Sequence, residues 1–160
     1  MRRRDLVLAA AGAALARPTA AAAALEGDAA ILGRLIAREQ AAVYAHRAAF
    51  VPELAGFDAH EAEHARALRT QLAALGREGP AAPRTAAELD SPARALADAA
   101  GRPAILDAAI ALEASLVDAY RAALRKLAEP SIARTAASIL AGHAQHRTLL
   151  RVEAGRDPVG

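Results

Sequence analysis

The stretch PELAGFDAHEAEHARALRTQLAAL, residues 52–75, places charged side chains where an amphipathic helix is normally apolar. At a turn of about 100° per residue, five apolar residues fall within about 40° of Glu61: Leu54, Phe57, Leu68, Leu72 and Leu75. His64, about 60° from Glu61, also lies on this apolar stripe. Carboxylates are rarely fully buried unless they are paired or bind a metal. The stretch therefore predicts a helix that starts at Pro52 and buries an ionic group.

A second starting point for this helix is also open. Asp58 is suited to an N-cap with Glu61 as its capping-box partner, and that start would expose Glu61. Leu54 extends the apolar stripe backward beyond Phe57. This extension favours the start at Pro52.

The preceding segment shows the same combination of an apolar stripe and a central carboxylate. A helix is predicted from Glu26 to Ala49, and Glu39 lies at the centre of its stripe. The residues within about 40° of Glu39 are Leu32, Leu35, Val43, His46 and Phe50. The connection to the next helix is short, as in an antiparallel helical hairpin.

Two further helices are predicted, from Pro103 to about Ala128 and from Ser131 to about Val152. The first has Glu113 at the centre of a stripe formed by Leu106, Ala109, Val117, Tyr120, Leu124 and Leu127. In the second, the stripe of Ile132, Ile139 and Leu150 brackets His143 and His146. All four predicted helices thus carry ionisable residues on their apolar faces.

The composition favours a single all-α domain. The 160 residues are rich in Ala, Leu, Arg and Glu, which are strong helix formers, and include only two Phe, two Tyr and no Trp. Cys is absent, which excludes disulfides and thiolate metal ligands. Gly and Pro interrupt residues 77–102, where Ala93 to Ala100 is predicted as a short helix. A linker of this length is expected to cross the whole bundle, so that the third helix runs parallel to the second.

The N-terminal residues 1–24 resemble an export signal. Three arginines precede the apolar stretch Leu6 to Leu15, and small residues follow. Arg3 and Arg4 are followed by one variable residue and two apolar ones, a pattern that resembles a twin-arginine signal. The variable residue, Asp5, departs from that signal. An uncleaved N-terminal anchor is the alternative. We expect the protein to be exported to the periplasm or beyond the cell, with membrane contact only through this signal. Residues 25–153 are expected to form the bundle and residues 154–160 a flexible tail.

The spacing of the polar residues predicts that they converge. Residues equidistant from the turn of an antiparallel hairpin lie at one height, and Glu39 and Glu61 are each 11 residues from position 50. Glu113 and His146 are similarly placed about residues 129–130, roughly 16 Å from their turn. The residues expected to meet at mid-bundle, as metal ligands, are Glu39, Glu61, His64, Glu113, His143 and His146.

At this point the chain resembles the ferritin-like superfamily of four-helix, carboxylate-bridged di-metal proteins. Their pattern is one Glu from each of two helices and Glu-x-x-His from each of the other two. Glu39 and Glu113 match the single glutamates, and Glu61 with His64 matches the first Glu-x-x-His. The resemblance covers about residues 26–153. It implies a two-hairpin bundle with a long crossover and a di-iron, di-manganese or mixed centre that oxidises Fe²⁺ or consumes oxygen or peroxide.

The second Glu-x-x-His is matched only at His146, because His143 stands where a bridging glutamate is expected. Three carboxylates compensate two divalent cations less well than four. An imidazole also cannot bridge two metals at the short separation that a carboxylate allows. The departure predicts an asymmetric or mononuclear site, and three histidines make zinc or copper a competitor for iron and manganese.

Other readings of the same residues remain open. His60 and His64 form an H-E-x-x-H motif with Glu61, which in metalloproteases holds zinc, but His60 lies about 100° from Glu61 at the edge of the stripe. A non-catalytic bundle with a degenerate site, serving a structural or interaction role, is the main alternative.

Tyr120 and His46 are interpreted as core residues, the latter with its hydrogen bonds satisfied. The expected partners are metal ions and oxygen or peroxide, with a homodimer left open. The near-neutral charge after residue 24 gives no case for nucleic acid.

Overall fold

The structure is a computed structural model that describes residues 20–159, and all regular structure in this range is helical. The five α-helices are α1 (Ala20–Ala48), α2 (Phe57–Ala74), α3 (Ser91–Ala97), α4 (Arg102–Leu124) and α5 (Pro130–Glu153). Short 3-10 turns, Pro52–Leu54 and Ala86–Glu88, precede α2 and α3. The predicted all-α bundle is confirmed. Between residues 20 and 159, no helix is both long and apolar enough to span a membrane.

Contacts at the two ends of the bundle define its topology. Asp28, near the start of α1, accepts hydrogen bonds from the backbone N–H groups of Ala128 and Glu129, beyond the end of α4, at 3.0 and 2.8 Å. At the opposite end, Arg102 begins α4 and donates to Glu53, in the turn that follows α1, at 2.6 Å. Helix α4 is therefore antiparallel to α1 and runs in the same direction as α2. This is the arrangement predicted from the long crossover.

The crossover, residues 75–101, is fixed to the outside of the first hairpin. Arg69 of α2 donates to the carbonyl oxygen of Pro80 at 2.7 Å, and Gly79 packs against the Arg69 side chain. Asp90 caps α3 by accepting from the backbone N–H of Ala93 at 3.3 Å. The short helix α3 thus begins and ends earlier than the predicted Ala93 to Ala100.

The start of α2 differs from both predictions. Pro52 begins a 3-10 turn rather than the helix, and Gly56 follows with a φ of 87°, a conformation that L side chains rarely adopt. The helix therefore begins at Phe57, with Gly56 as its N-cap. The capping box at Asp58 is wrong as well, because Glu61 is fully buried. Leu54 is buried as expected, but it reaches the core from the turn.

Three other boundaries also differ. Helix α1 already includes Ala20, the first described residue, whereas its start was predicted at Glu26; residues 1–19 of the predicted export segment lie outside the described part of the chain. It ends at Ala48, so Phe50 does not continue the apolar stripe and is 93% exposed. Helix α4 ends at Leu124, four residues before the predicted end. In the tail predicted to be flexible, Arg156 forms an ion pair with Asp107 of α4.

Candidate metal centre

The four long helices bring all six predicted ligands together at mid-bundle. We call them the six-residue cluster: Glu39, Glu61, His64, Glu113, His143 and His146. The three glutamates and His143 have no exposed surface, and His146 is 7% exposed. The side chain of His64 is the most accessible, at 18%. The structure thus shows that the residues converge, while their role as ligands stays a prediction.

The cluster divides into two groups of four, each with ligand atoms within 4.8 Å of one another. The first group contains Glu39, Glu61, His64 and His143. Nδ1 of His64 lies 3.0 Å from Oε2 of Glu61 and 3.6 Å from Oε2 of Glu39. The i, i+3 spacing of Glu61 and His64 places both side chains on one face of α2, beside Glu39 of the antiparallel α1.

The second group contains Glu61, Glu113, His143 and His146. Nδ1 of His146 lies 3.2 Å from Oε1 of Glu61 and 3.6 Å from Oε1 of Glu113. Glu61 and His143 therefore belong to both groups. Either group could hold a cation, and two such positions would lie side by side.

His143 stands between the two groups and directs a different ring nitrogen to each. Its Nε2 lies 3.0 Å from Oε1 of Glu39, and its Nδ1 lies 2.9 Å from Oε2 of Glu113. A carboxylate in this place offers two oxygens, whereas a neutral imidazole has only one unprotonated nitrogen. His143 can therefore give a lone pair to either position but not to both.

In the metal-free protein, hydrogen bonds between the histidines and glutamates of the cluster shift the pKa values of both. Burial by itself lowers the pKa of His143, but hydrogen bonds with Glu113 and Glu39 outweigh burial and raise it to about 10. The pKa values of His64 and His146 rise to about 9 for the same reason. Burial alone raises the pKa of Glu113, but hydrogen bonds with His143 and His146 lower it to about 2. The pKa of Glu61 is also lowered, by hydrogen bonds with His146 and His64 that outweigh its burial. Protonated His64, His143 and His146 therefore face ionised Glu61 and Glu113, and a cation must displace protons to bind.

The hydrogen bonding of two buried carboxylate oxygens bears on whether the cluster fits a cation. Within residues 20–159, Oε2 of Glu39 and Oε1 of Glu113 are buried without a hydrogen bond, one in each group. Each lies 3.6 Å from a histidine nitrogen. Buried polar atoms are normally hydrogen-bonded, so these two oxygens are suited to coordinate a cation. Carboxylate and imidazole ligands suit iron and manganese, and they also suit zinc. The donor set and these two oxygens fit a divalent transition metal.

Two core residues have closer contacts with the cluster than the sequence suggested. The Tyr120 hydroxyl donates a hydrogen bond to Oε1 of Glu39. Nε2 of the buried His46 lies 3.6 Å from Oε1 of Glu113, and among residues 20–159 neither of its ring nitrogens has a hydrogen-bond partner. The prediction of a satisfied core histidine is therefore wrong. The periodicity placed both residues on the inner stripe, but it could not show how far their side chains reach along the bundle.

The H-E-x-x-H reading does not match the arrangement of the side chains. His60 is exposed and belongs to neither group of potential ligands, whereas Glu61 is buried between His64 and His146. His60 instead lies beside His146, with its Nδ1 3.1 Å from Nε2 of that residue. Helical periodicity does not predict this contact between α2 and α5.

Comparison with known protein families agrees with this geometry. The model of the ferritin-like domain family matches residues 13–156. The chain belongs to the ferritin-like domain family. No curated protein and no solved structure matches it. For this ferritin-like protein, membership is consistent with the four-helix arrangement and the buried Glu and His cluster, but it does not specify a reaction.

Proposed function

We propose that this ferritin-like protein binds iron or manganese in the six-residue cluster and promotes the oxidation of Fe²⁺ with oxygen or peroxide as the electron acceptor. The observation that carries the proposal is the pair of buried four-residue groups that share Glu61 and His143. Among the described residues, Glu39 and Glu113 each keep one buried carboxylate oxygen without a hydrogen bond, which is uncommon in a purely structural network. The family fold supports the same reading.

The two positions are proposed to differ in affinity. Glu39, Glu61 and His64 would hold one divalent ion with two carboxylates, and His143 could add a lone pair from Nε2. Glu113 would then be the only further carboxylate of the cluster for a second ion, with His146 as the imidazole, because His143 would have no second lone pair to give. We therefore expect one tightly bound ion per chain and a weaker second one. If His143 instead gives its lone pair through Nδ1 to the position beside Glu113, the expected number of ions per chain is the same.

The chain itself supplies binding, orientation and the exclusion of water. An iron or manganese ion held in the cluster would supply electron exchange with oxygen or peroxide. Tyr120 orients the Glu39 carboxylate by donating a hydrogen bond to Oε1, and Oε2 has no hydrogen bond within residues 20–159. Leu32, Leu68 and Leu116 are among the fully buried apolar side chains of the core that limits access of water. His64, as the most accessible member of the cluster, marks the side on which small molecules reach it.

The test compares Glu61→Ala with Glu63→Ala. Both glutamates lie on α2, but Glu63 is exposed, with an ion pair to Arg66 as its charged contact. Oxygen-dependent Fe²⁺ oxidation, followed by the absorbance of the ferric product, should be close to wild type in Glu63→Ala and at the uncatalysed rate in Glu61→Ala. If wild type itself shows only the uncatalysed rate, the redox proposal is wrong, even where metal binding persists.

A non-catalytic role is the second candidate, and His143 is the observation that favours it. Replacement of a carboxylate by an imidazole removes a negative charge, and the raised pKa values of the three histidines favour their protonated forms, with which a divalent cation must compete. A bundle that holds zinc, or no metal at all, would use this network for structure alone. Stoichiometric zinc in the isolated protein, without Fe²⁺ oxidation after exchange for iron, would support this candidate.

We also propose that the protein is exported through its N-terminal arginine pair. Arg3 and Arg4 precede an apolar stretch, as in signals that carry folded proteins across a membrane. A double Lys variant, Arg3→Lys with Arg4→Lys, preserves charge and should leave the protein in the cytoplasm. Cell fractionation that finds equal export of wild type and variant would reject the arginine-pair signal.

A further inference from the structure

The exposed His60 is not accounted for by the metal centre, yet it contacts a predicted ligand. Its Nδ1 lies 3.1 Å from Nε2 of His146, and the two rings are nearly parallel, with an angle of 11° between their planes. The ring centroids are 5.3 Å apart. This distance exceeds that between the two nitrogens by about one ring width, as expected if each nitrogen lies between its own ring centre and the other ring. Both nitrogens therefore lie close to the line that joins the ring centres. The rings meet edge to edge, which is the direction of an imidazole–imidazole hydrogen bond.

The orientation of His146 determines which proton this hydrogen bond uses. Its Nδ1 faces Glu61 and Glu113, at 3.2 and 3.6 Å, so Nδ1 is the atom available to a metal. A neutral imidazole that gives a lone pair from Nδ1 carries its proton on Nε2. That N–H requires an acceptor, and within residues 20–159 Nδ1 of His60 lies in position to accept it.

We propose that His60 is a positioning residue that accepts a hydrogen bond from Nε2–H of His146 and so fixes the tautomer and orientation in which His146 presents Nδ1 to the metal centre. The inference rests on the proposed metal function. Ligating histidines generally donate their second N–H to such a partner, and loss of the partner typically lowers metal affinity about 10- to 100-fold. Here the partner is a solvent-exposed imidazole on another helix.

Phe57 supports this assignment from the inner side of the ring. It contacts His146 with a centroid separation of 4.5 Å and a tilt of 44°. Phe57 limits the inward movement of the ring but offers no hydrogen-bond acceptor. His60 contacts the same ring at its Nε2 edge, so the two residues have different roles: Phe57 packs against the imidazole, and His60 selects the proton position.

Two substitutions separate the hydrogen bond from the space that the ring fills. His60→Asn keeps an acceptor, because Oδ1 of Asn takes a place similar to Nδ1 of His, whereas His60→Phe keeps a ring of similar shape without any acceptor. His60 is exposed, so both variants should fold, and thermal unfolding of the metal-free proteins checks this. The probe is Co²⁺, whose binding is measured by equilibrium titration and whose visible spectrum reports its ligands.

The expected result is a Co²⁺ affinity about 10- to 100-fold lower in His60→Phe, with a changed visible spectrum, and near-wild-type affinity and spectrum in His60→Asn. Equal affinity of His60→Phe and wild type would overturn the inference, as would equal losses in both variants. Failure of wild type to bind Co²⁺ would instead reject the metal centre itself. The two failures are therefore distinguishable.

Discussion

Gly142 of α5 allows the imidazole of His64 to lie against the helix backbone, and replacing it by Ala should disturb one metal position. A Cβ atom at residue 142 would lie 3.2 Å from Nε2 and 3.3 Å from Cε1 of His64. These separations are tighter than ordinary van der Waals contact, so the ring must move by a few tenths of an ångström. The adjacent nitrogen of the same ring, Nδ1, lies 3.0 Å from Oε2 of Glu61. Movement of His64 therefore strains this hydrogen bond.

The expected magnitude follows from two opposing effects. Replacement of Gly by Ala inside a helix stabilises it by roughly 0.5–1 kcal/mol. A hydrogen bond between charged partners contributes about 1.5–3 kcal/mol, so losing half of the His64–Glu61 bond cancels this gain. Gly33 of α1 is the matched control, because a Cβ there meets nothing within 4 Å. We expect Gly33→Ala to raise Tm by about 3 °C and Gly142→Ala to leave it unchanged or lower.

The assay combines thermal unfolding of both metal-free variants with a Mn²⁺ titration. The affinity of Gly142→Ala should fall about tenfold, equivalent to about 1.4 kcal/mol, whereas that of Gly33→Ala should equal wild type. The reasoning is refuted if Gly142→Ala gains as much Tm as Gly33→Ala and binds Mn²⁺ with unchanged affinity. That result would mean that His64 has room to move without affecting its carboxylate partner.

Three further predictions follow from the charges of the cluster and the end of the bundle. His143→Glu should bring Mn²⁺ stoichiometry to two per chain, because it adds a carboxylate that can reach both positions, whereas the uncharged His143→Gln should not; elemental analysis of dialysed protein distinguishes them. Asp28→Ala should lower the free energy of unfolding in urea by about 2 kcal/mol, since two backbone N–H groups lose their acceptor, while the exposed Asp118→Ala should change it little. Without metal, the raised pKa of His143 stabilises the fold fully below pH 6.5 and no longer does so above about 10. The lowered pKa of Glu113 stabilises it fully above pH 4.5, an effect lost as pH falls through about 2; unfolding should therefore show greatest stability between pH 4.5 and 6.5, and a maximum above pH 8 would contradict this.

The helical architecture and the convergence of the cluster could be predicted because both depend on periodicity and chain length. Glu39 and Glu61 were placed at one height by counting residues from a turn, a rule that tolerates an error of a few residues in the turn itself. The start of α2 after Gly56 is harder to predict, because Pro52 is also a good first helical residue. In this chain Pro52 begins a 3-10 turn instead. Phe50 was misplaced because α1 ends before it.

Contacts that depend on side-chain conformation could not be predicted from helical angles. His60 lies about 100° from Glu61 around the helix, yet its ring reaches Nε2 of His146 on α5. Tyr120 is two turns from Glu113 in sequence, and its long side chain places the hydroxyl on Glu39 of another helix. Periodicity gives the direction of a Cβ atom, whereas the rotamer and the separation of the helices decide which group the side chain meets.

The most direct test of the central claim is the metal content of the purified protein, measured by elemental analysis and followed by a Mn²⁺ titration of metal-free protein with thermal unfolding at each step. The six-residue cluster predicts one tightly bound ion per chain, a weaker second ion, and a Tm that rises with metal, because an ion that binds only the folded state stabilises it. Glu61→Ala should abolish the tight binding and the rise in Tm, while Glu63→Ala should retain both. A protein that holds no stoichiometric metal and whose Tm does not respond to Mn²⁺, Fe²⁺ or Zn²⁺ would contradict the metal centre.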